Sequence, residues 1–355
     1  MMSWEDKVRR VVPYVPGEQP KKRNVIKLNT NEFPYPPSPV LKEALKNTDQ
    51  ESYRLYPDPY GEPLRSAIGE CYKVSPERVF VGVGSDDVLS MAFLTFFNSE
   101  KPVLFADITY SFYDVWADVY RIPYERIPLN EDYHMVKEDY LRENGGIVIA
   151  NPNAPTGISE ASDPDFFESI VKGNPDSVVI IDEAYVDFSD SSMLCLTEKY
   201  DNVLIVQTFS KSRAFAGMRI GFAIGNEKLI KYMNDVKFSV NSYTMSRAAI
   251  EYGIAVLKDK DYFEETVKKL INSRERIKKE LKELDFEFFD SKANFIFATH
   301  KKLKAEYIFK ELKKQDIYVR FFNKARIDNY LRITIGRDED MDRLIIALKD
   351  IISKG

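Results

Sequence analysis

Lys211, preceded by Ser210 and followed eight residues later by Arg219, is the group in this chain best suited to covalent chemistry. It sits in the run Thr208-Phe209-Ser210-Lys211-Ser212-Arg213, directly after the apolar stretch at 203–206. A lysine is an effective nucleophile toward carbonyls only when burial or a neighbouring cation lowers its pKa, and the end of a buried strand offers both conditions. Ser210 and Arg219 would add a hydroxyl donor and a forked guanidinium, the pair that a phosphate binds. The chemistry this suits is an imine-forming amine beside a phosphate. Taken alone, the same residues also describe an ordinary surface loop.

Three other apolar runs end in suggestive residues. Val81-Gly82-Val83-Gly84-Ser85-Asp86-Asp87 reads as a strand, a glycine turn and a Ser N-cap, which leaves backbone N–H groups free for an anion at a helix start. It lacks the third glycine and placed acid of a dinucleotide site. Ala150-Asn151-Pro152-Asn153-Ala154-Pro155-Thr156-Gly157 reads as a rigid turn able to aim an amide into a cleft. Val178-Val179-Ile180-Ile181-Asp182-Glu183-Ala184-Tyr185 carries a carboxylate out of an apolar strand, a costly burial unless a cation meets it. A protonated pyridine nitrogen would be such a cation, and Tyr185 could reach the phenolic oxygen of the same ring. Each motif alone has a structural reading as a corner, a turn or an ion pair. Together they supply what pyridoxal 5'-phosphate requires.

The elements that must position them follow from hydrophobic patterning. Short Val/Ile runs at 79–83, 103–106, 147–150, 178–181, 203–206 and 220–224 alternate with helical patterns at 85–97, 110–120 and 163–172. That alternation predicts an α/β fold with a mostly parallel sheet buried on both faces. Ligands of such sheets bind at the carboxyl ends of the strands, where all four motifs lie. A lysine- and glutamate-rich helix is expected over 261–284, followed by strands at 286–289, 294–298, 318–322 and 331–335 and helices at 303–314 and 339–353. The organisation expected is a proline-rich, irregular arm (1–44) that joins the small domain and a partner subunit, a large domain (45–258) and a small α+β domain (259–355).

Composition narrows the rest. The 355 residues carry 51 Lys and Arg against 56 Asp and Glu, a net charge of −5, which favours neither nucleic acid nor an anionic membrane as partner. No run approaches the roughly 18–20 apolar residues of a membrane span. The first residues carry acid early and lack the apolar segment of a signal peptide, so a cytoplasmic protein is expected. Cys71 and Cys195 show no metal-like spacing, and two histidines, His134 and His300, argue against a metal site or a Ser-His-Asp triad.

The chain resembles the fold-type I, aspartate-aminotransferase-like enzymes that use pyridoxal 5'-phosphate, and within them the histidinol-phosphate aminotransferases. The likeness runs from Leu28-Asn29-Thr30-Asn31-Glu32-Phe33-Pro34 through Tyr56-Pro57-Asp58-Pro59, Gly84-Ser85-Asp86, Asp182-Glu183-Ala184-Tyr185, Ser210-Lys211 and Arg219-Ile220-Gly221 to Val319-Arg320 and Leu331-Arg332-Ile333-Thr334-Ile335-Gly336. The resemblance implies that Lys211 forms the imine and moves the substrate proton. Asp182 would pair with the pyridinium and Tyr185 with the phenolic oxygen. Gly84, Ser85, Asp86, Ser210 and Arg219 would hold the phosphate, Tyr110 would stack on the ring, and Tyr56 would reach the phosphate of a neighbouring subunit, making a homodimer with shared sites. The commoner family form has Asn directly before Pro-Thr-Gly, where this chain has Ala154, so Asn153 is expected to supply the amide.

Tyr14, Asn31, Arg320 and Arg332 are the implied substrate residues. The activity implied is transamination between L-histidinol phosphate and 2-oxoglutarate, with L-glutamate as a product. An aromatic amino-acid aminotransferase, a threonine-phosphate decarboxylase and a non-catalytic regulatory protein are the alternatives; the arm is too short and too little basic for a DNA-binding module.

Overall fold

The computed structural model describes residues 3–22, 24–163 and 165–354. Residues 1, 2, 23, 164 and 355 fall outside that description, and with them the outer ends of the expected division and the second residue of the helix expected from 163.

After a 3-10 turn at Trp4–Lys7 and an irregular stretch, Ile26–Leu28 forms strand β1 and Val40–Lys46 helix α1. Helix α2 (Glu62–Tyr72) precedes the strands β2 (Val79–Gly82), β3 (Val103–Ala106), β4 (Tyr124–Ile127), β5 (Gly146–Ala150), β6 (Val179–Asp182), β7 (Val203–Thr208) and β8 (Gly221–Gly225). These seven make one sheet in the order β2-β8-β7-β6-β5-β3-β4, in which β8 alone runs against its neighbours. Helices α3 (Ser85–Phe96), α4 (Phe112–Tyr120), α5 (Phe166–Gly173), α6 (Glu227–Val240) and α7 (Arg247–Leu257) cover it.

The two-residue period of a strand explains how both faces are buried. Val148, Ile180, Leu204 and Val206 pack into one apolar cluster with residues of α3, α4 and α6. Their alternating neighbours Ile147, Ile149, Ile181 and Ile205 pack into another with Phe167 and Ile170 of α5. A continuous Val/Ile run is therefore what a double-sided sheet demands.

Helix α8 (Lys260–Glu283) buries a stripe that includes Leu270, Ile277 and Leu281 and leads into a second sheet. Its strands are β9 (Phe286–Phe288), β10 (Phe295–His300), β11 (Ile317–Phe321) and β12 (Leu331–Thr334), with helices α9 (Ala305–Lys314) and α10 (Asp338–Lys354). The order is β1-β11-β12-β10-β9, so the arm contributes an edge strand to this sheet. Ile26 and Leu28 drop into its core, opposite Ile317 and Val319.

Two strands escaped the sequence reading. β1 is only three residues long, too short for a periodic signal among prolines. β4 is an edge strand whose middle residues, Glu125 and Arg126, are exposed, so it lacks the apolar run that marked the others. No helix among the described residues is long and apolar enough to cross a membrane.

One close approach sets the strand-end geometry. Gly221 of β8 lies opposite both Gly82 and Thr208, and a Cβ built on it would stand 2.2 Å from the carbonyl carbon of Gly84 and 2.3 Å from the nitrogen of Ser85. Both are backbone atoms that no rotamer change can move. Gly221→Ala is expected to cost about 1–3 kcal/mol of stability, in the range of overpacked cores, and to displace the start of α3. Denaturant unfolding of the variant measures this; a midpoint equal to that of the parent protein would contradict it.

Candidate active site

Strand ends β5, β6 and β7, the start of α4, the arm and strands β11 and β12 enclose a cleft of about 740 Å³. Lys211, Tyr185, Tyr110, Tyr14, Asn31, Arg320 and Arg332 all line it. Residues separated by more than three hundred positions in sequence thus share one cavity. The Lys211 Nζ stands 5.5 Å from the centre of the Tyr185 ring.

Beside the cleft, joined to it through Tyr110, a cluster of hydrogen-bond donors surrounds the start of α3. Arg219 donates to Asp86 Oδ2 (3.0 Å) and, more weakly, to Ser210 Oγ (3.4 Å). Tyr110 donates to Asp86 Oδ1 (2.8 Å), which ties the cluster to the cleft. Helix α3 starts here, and its first N–H groups point outward without intrahelical partners. The expected Ser N-cap is corrected by the backbone: Gly84 is the N-cap, with φ +83°, and Ser85 is the first helical residue. A side chain at 84 would meet Arg219 Nη2 at 2.5 Å, so glycine is needed for both conformation and space.

Asp182 ends β6 and is 5% exposed. Tyr113 donates to its Oδ2 (2.7 Å) and the Ala184 N–H to its Oδ1 (3.1 Å). Burial outweighs these donors and pushes its carboxyl up to about 6. Tyr113 was not singled out from the sequence. Its signal was its place in the first turn of α4, just after Tyr110; the two phenols diverge, Tyr110 toward Asp86 and Tyr113 toward Asp182. Glu183, next in the chain, faces away from the cleft. It accepts from Gln207, Ser192 and the Met193 N–H, and so pins the turn that carries Tyr185.

The far end of the cleft is cationic. Arg320 and Arg332 are directly opposed in the antiparallel register of β11 and β12. Like charges so placed repel. Arg320 reaches only the Pro16 and Val15 carbonyls at 3.4 Å, and Arg332 the Asn29 carbonyl at 3.1 Å, with its Nε unpartnered. Desolvation, with Arg320 alongside, holds Arg332 below the usual guanidinium range. Tyr14 stacks on Phe112 (4.3 Å between centroids), and burial raises its phenol despite the two arginines.

Two expected residues do not join the others. Asn153 is buried in its own turn: its amide accepts from Thr109 and donates to the Ile108 carbonyl and Thr156. Ala154 and Pro155 line the cleft instead, so the expectation of a cleft-facing Asn153 amide is corrected. The two prolines of this turn both follow cis bonds. Tyr56 is 78% exposed, stacked on Tyr243, and is not among the residues that line this cleft.

The donors fit pyridoxal 5'-phosphate. The Gly84–Ser85 turn, Ser210 and Arg219 could hold its phosphate, the buried Asp182 its ring nitrogen, Tyr185 its phenolic oxygen, and Lys211 its aldehyde carbon. The fit lacks only the amide that position 154 does not supply.

An α/β sheet with these groups at its strand ends defines a group-transfer enzyme of fold-type I architecture. The model for aminotransferase class I and II matches residues 23–348, and the chain belongs to that family. It is 50% identical over 354 residues to a histidinol-phosphate aminotransferase of Clostridium acetobutylicum, covering 99% of each chain. Among solved structures, it superposes with a TM-score of 0.83 on the histidinol-phosphate aminotransferase of Sinorhizobium meliloti in complex with pyridoxal-5'-phosphate. Identity there is 24%, with 94% of this chain and 92% of that one covered. It also superposes on the L-threonine-O-3-phosphate decarboxylase of Porphyromonas gingivalis (TM-score 0.79, 21% identity, 93% and 100% covered). The expected fold class is thereby established, and the fold alone spans two reaction types.

Asp182 yields a pH prediction. Its folded-state pKa, about 6, lies above the ordinary carboxylate value, so between the two the folded chain holds a proton that the unfolded chain has lost. Stability from that proton is full below about pH 4 and gone above about pH 6. Asp182→Asn, which cannot ionise, should therefore gain on the cofactor-free parent protein between pH 4 and pH 8, by up to about 3 kcal/mol. Thermal unfolding at both pH values tests this; parallel pH dependence of the two proteins would refute it.

Proposed function

We propose that the chain is a pyridoxal 5'-phosphate-dependent aminotransferase of histidine biosynthesis. It interconverts L-histidinol phosphate and 2-oxoglutarate with 3-(imidazol-4-yl)-2-oxopropyl phosphate and L-glutamate. The observation that carries this reading is the Arg320–Arg332 pair, two opposed guanidinium groups that meet no carboxylate among the described residues. A phosphate or a second carboxylate relieves their repulsion, and both amino-group carriers in this reaction bring such an anion. The near-50% identity over full length to a relative named for this activity supports the same choice.

When bound, the cofactor supplies a ring that withdraws electrons from the substrate Cα. Asp182, kept from water, holds the proton on the ring nitrogen. Tyr185 donates to the phenolic oxygen. Lys211 Nζ would carry the proton between the substrate Cα and the cofactor carbon that bears the aldehyde. Gly84, Ser85, Ser210 and Arg219 fix the phosphate, with Asp86 orienting Arg219. Tyr110 covers one face of the ring, and Tyr14 with Phe112 walls the substrate side from water.

Residues 45–258 form the large cofactor-binding domain and 259–355 the small domain, to which the arm, 1–44, adds its strand. The functional unit is a homodimer in which Tyr56 completes the partner's phosphate site. Support comes from an apolar exposed patch, Leu55, Tyr56, Tyr60, Val240 and Tyr243, built round the Tyr56–Tyr243 and Tyr60–Phe238 ring contacts. The enzyme works in the cytoplasm on small molecules, with neither nucleic acid nor membrane as partner.

Two experiments test this. Steady-state kinetics with histidinol phosphate, phenylalanine and threonine phosphate should give the highest kcat/KM with histidinol phosphate, with glutamate formed from 2-oxoglutarate. Carbon dioxide release from threonine phosphate would instead mark a decarboxylase, and preference for phenylalanine an aromatic aminotransferase. In the same assay Arg332→Lys should raise KM for amino donor and 2-oxoglutarate alike, about tenfold or more, because a bidentate contact is lost. Separately, Lys211→Ala and Tyr56→Ala homodimers, each impaired, should regain activity when unfolded and refolded together. One hybrid site then has both Lys211 and the other subunit's Tyr56; no recovery would rule out shared sites.

A further inference from the structure

Asn31, which lines the cleft, is tied into the protein by four hydrogen bonds. It is 1% exposed, with φ +56°, and it joins three parts of the chain. Its backbone N–H donates to Thr334 Oγ1 (3.0 Å), and the same hydroxyl donates back to Asn31 Oδ1 (3.0 Å). Asn294 donates to its carbonyl (3.0 Å). Its Nδ2 donates to the Tyr185 hydroxyl oxygen (2.9 Å).

This closed ring with Thr334 decides which way the amide points. Oδ1 is held by a donor, so Nδ2 must face Tyr185, and an amide N–H only donates. The Tyr185 oxygen therefore accepts from Asn31, and its own O–H is left to point elsewhere, into the cleft. Nothing else on that side can do the work: Asn153 is consumed in its turn, and Ala154, packed against the Tyr185 ring, is apolar. The groups of other elements that act on or face this phenol are Lys211, Arg332, Tyr14, Tyr110 and Tyr113.

We infer that Asn31 is a positioning residue. It turns the Tyr185 hydroxyl so that its proton is given to the cofactor's phenolic oxygen, and it ties that orientation to β12, the strand carrying Arg332. The inference rests on the proposed cofactor reading. It adds that the arm acts on cofactor electronics rather than on substrate contact alone. Tyr185 donates one hydrogen bond to an oxygen bearing negative charge, and the amide at 31 stands behind it where the turn at 154 has none.

Asn31→Asp tests it. Aspartate tolerates the left-handed backbone and can still accept from Thr334, but it has no donor, so Tyr185 must donate to the carboxylate and abandon the cleft. The pH midpoint of the visible absorption change in the cofactor-loaded protein should rise by about one unit or more, since a hydrogen bond to a charged group is lost. Asn31→Gly keeps the backbone and frees Tyr185 to rotate; its midpoint should rise less than that of Asn31→Asp. Asn31→Gly with Ala154→Asn places an amide beside Tyr185 again and should bring the midpoint back toward the parent value. Midpoints unchanged in both single variants, with cofactor retained, would overturn the inference. If Asn31→Asp does not fold, the glycine pair decides it. A parent protein that takes up no cofactor and shows no visible band would instead remove the cofactor reading, and this inference with it.

Discussion

Asp182 lies buried at the carboxyl end of β6 with a phenol and one backbone N–H as donors and no cation of its own. Keeping a carboxylate there costs the fold free energy until a positive charge arrives. The sheet can bear that cost because it is apolar on both faces and anchored by two large clusters, so the strand end is rigid. The remaining cleft groups take positions relative to this buried charge. Tyr113 comes up from α4 to satisfy it, Tyr185 follows three residues later, and Lys211 stands at the end of the neighbouring strand.

The same imbalance recurs with opposite sign on the small sheet. Opposed arginines on β11 and β12 would be a poor choice in a sheet built only for stability. Placed at the wall of the cleft, they give it a positive side. The arm crosses between them and the large sheet, with β1 paired to β11, Tyr14 on Phe112 and Asn31 bonded to both Thr334 and Tyr185. Thr334, Asn31 and Tyr185 thus join the small sheet to the phenol through a run of hydrogen bonds.

Close backbone approach completes the arrangement. β8 is reversed relative to its neighbours and passes within contact of the turn at Gly84, which only glycine at 221 permits. That contact holds the α3 start against Arg219, so the donor cluster beside the cleft is a consequence of sheet packing and needs no flexible loop.

Much of this was legible in the residues themselves. The Val/Ile runs announced the sheet because burial on both faces leaves no room for polar alternation, and the charges at their ends stood out against that background. Lys211, Asp182, Tyr185, Ser210 and Arg219 could be named for this reason. β1 and β4 could not, since a three-residue strand and an exposed edge leave no periodic trace. Nor could the fate of an amide be read locally: Asn153 and Asn31 are both plausible donors in sequence, and only packing turns one inward to Thr109 and the other onto Tyr185. The sequence by itself determined which chemical groups the chain carries at its strand ends, because hydrophobic period and local turn chemistry act over a few residues. The tertiary structure alone decided which of them face one another, because the pairings of β1 with β11 and of β2 with β8 join residues far apart in the chain, beyond the reach of any local pattern.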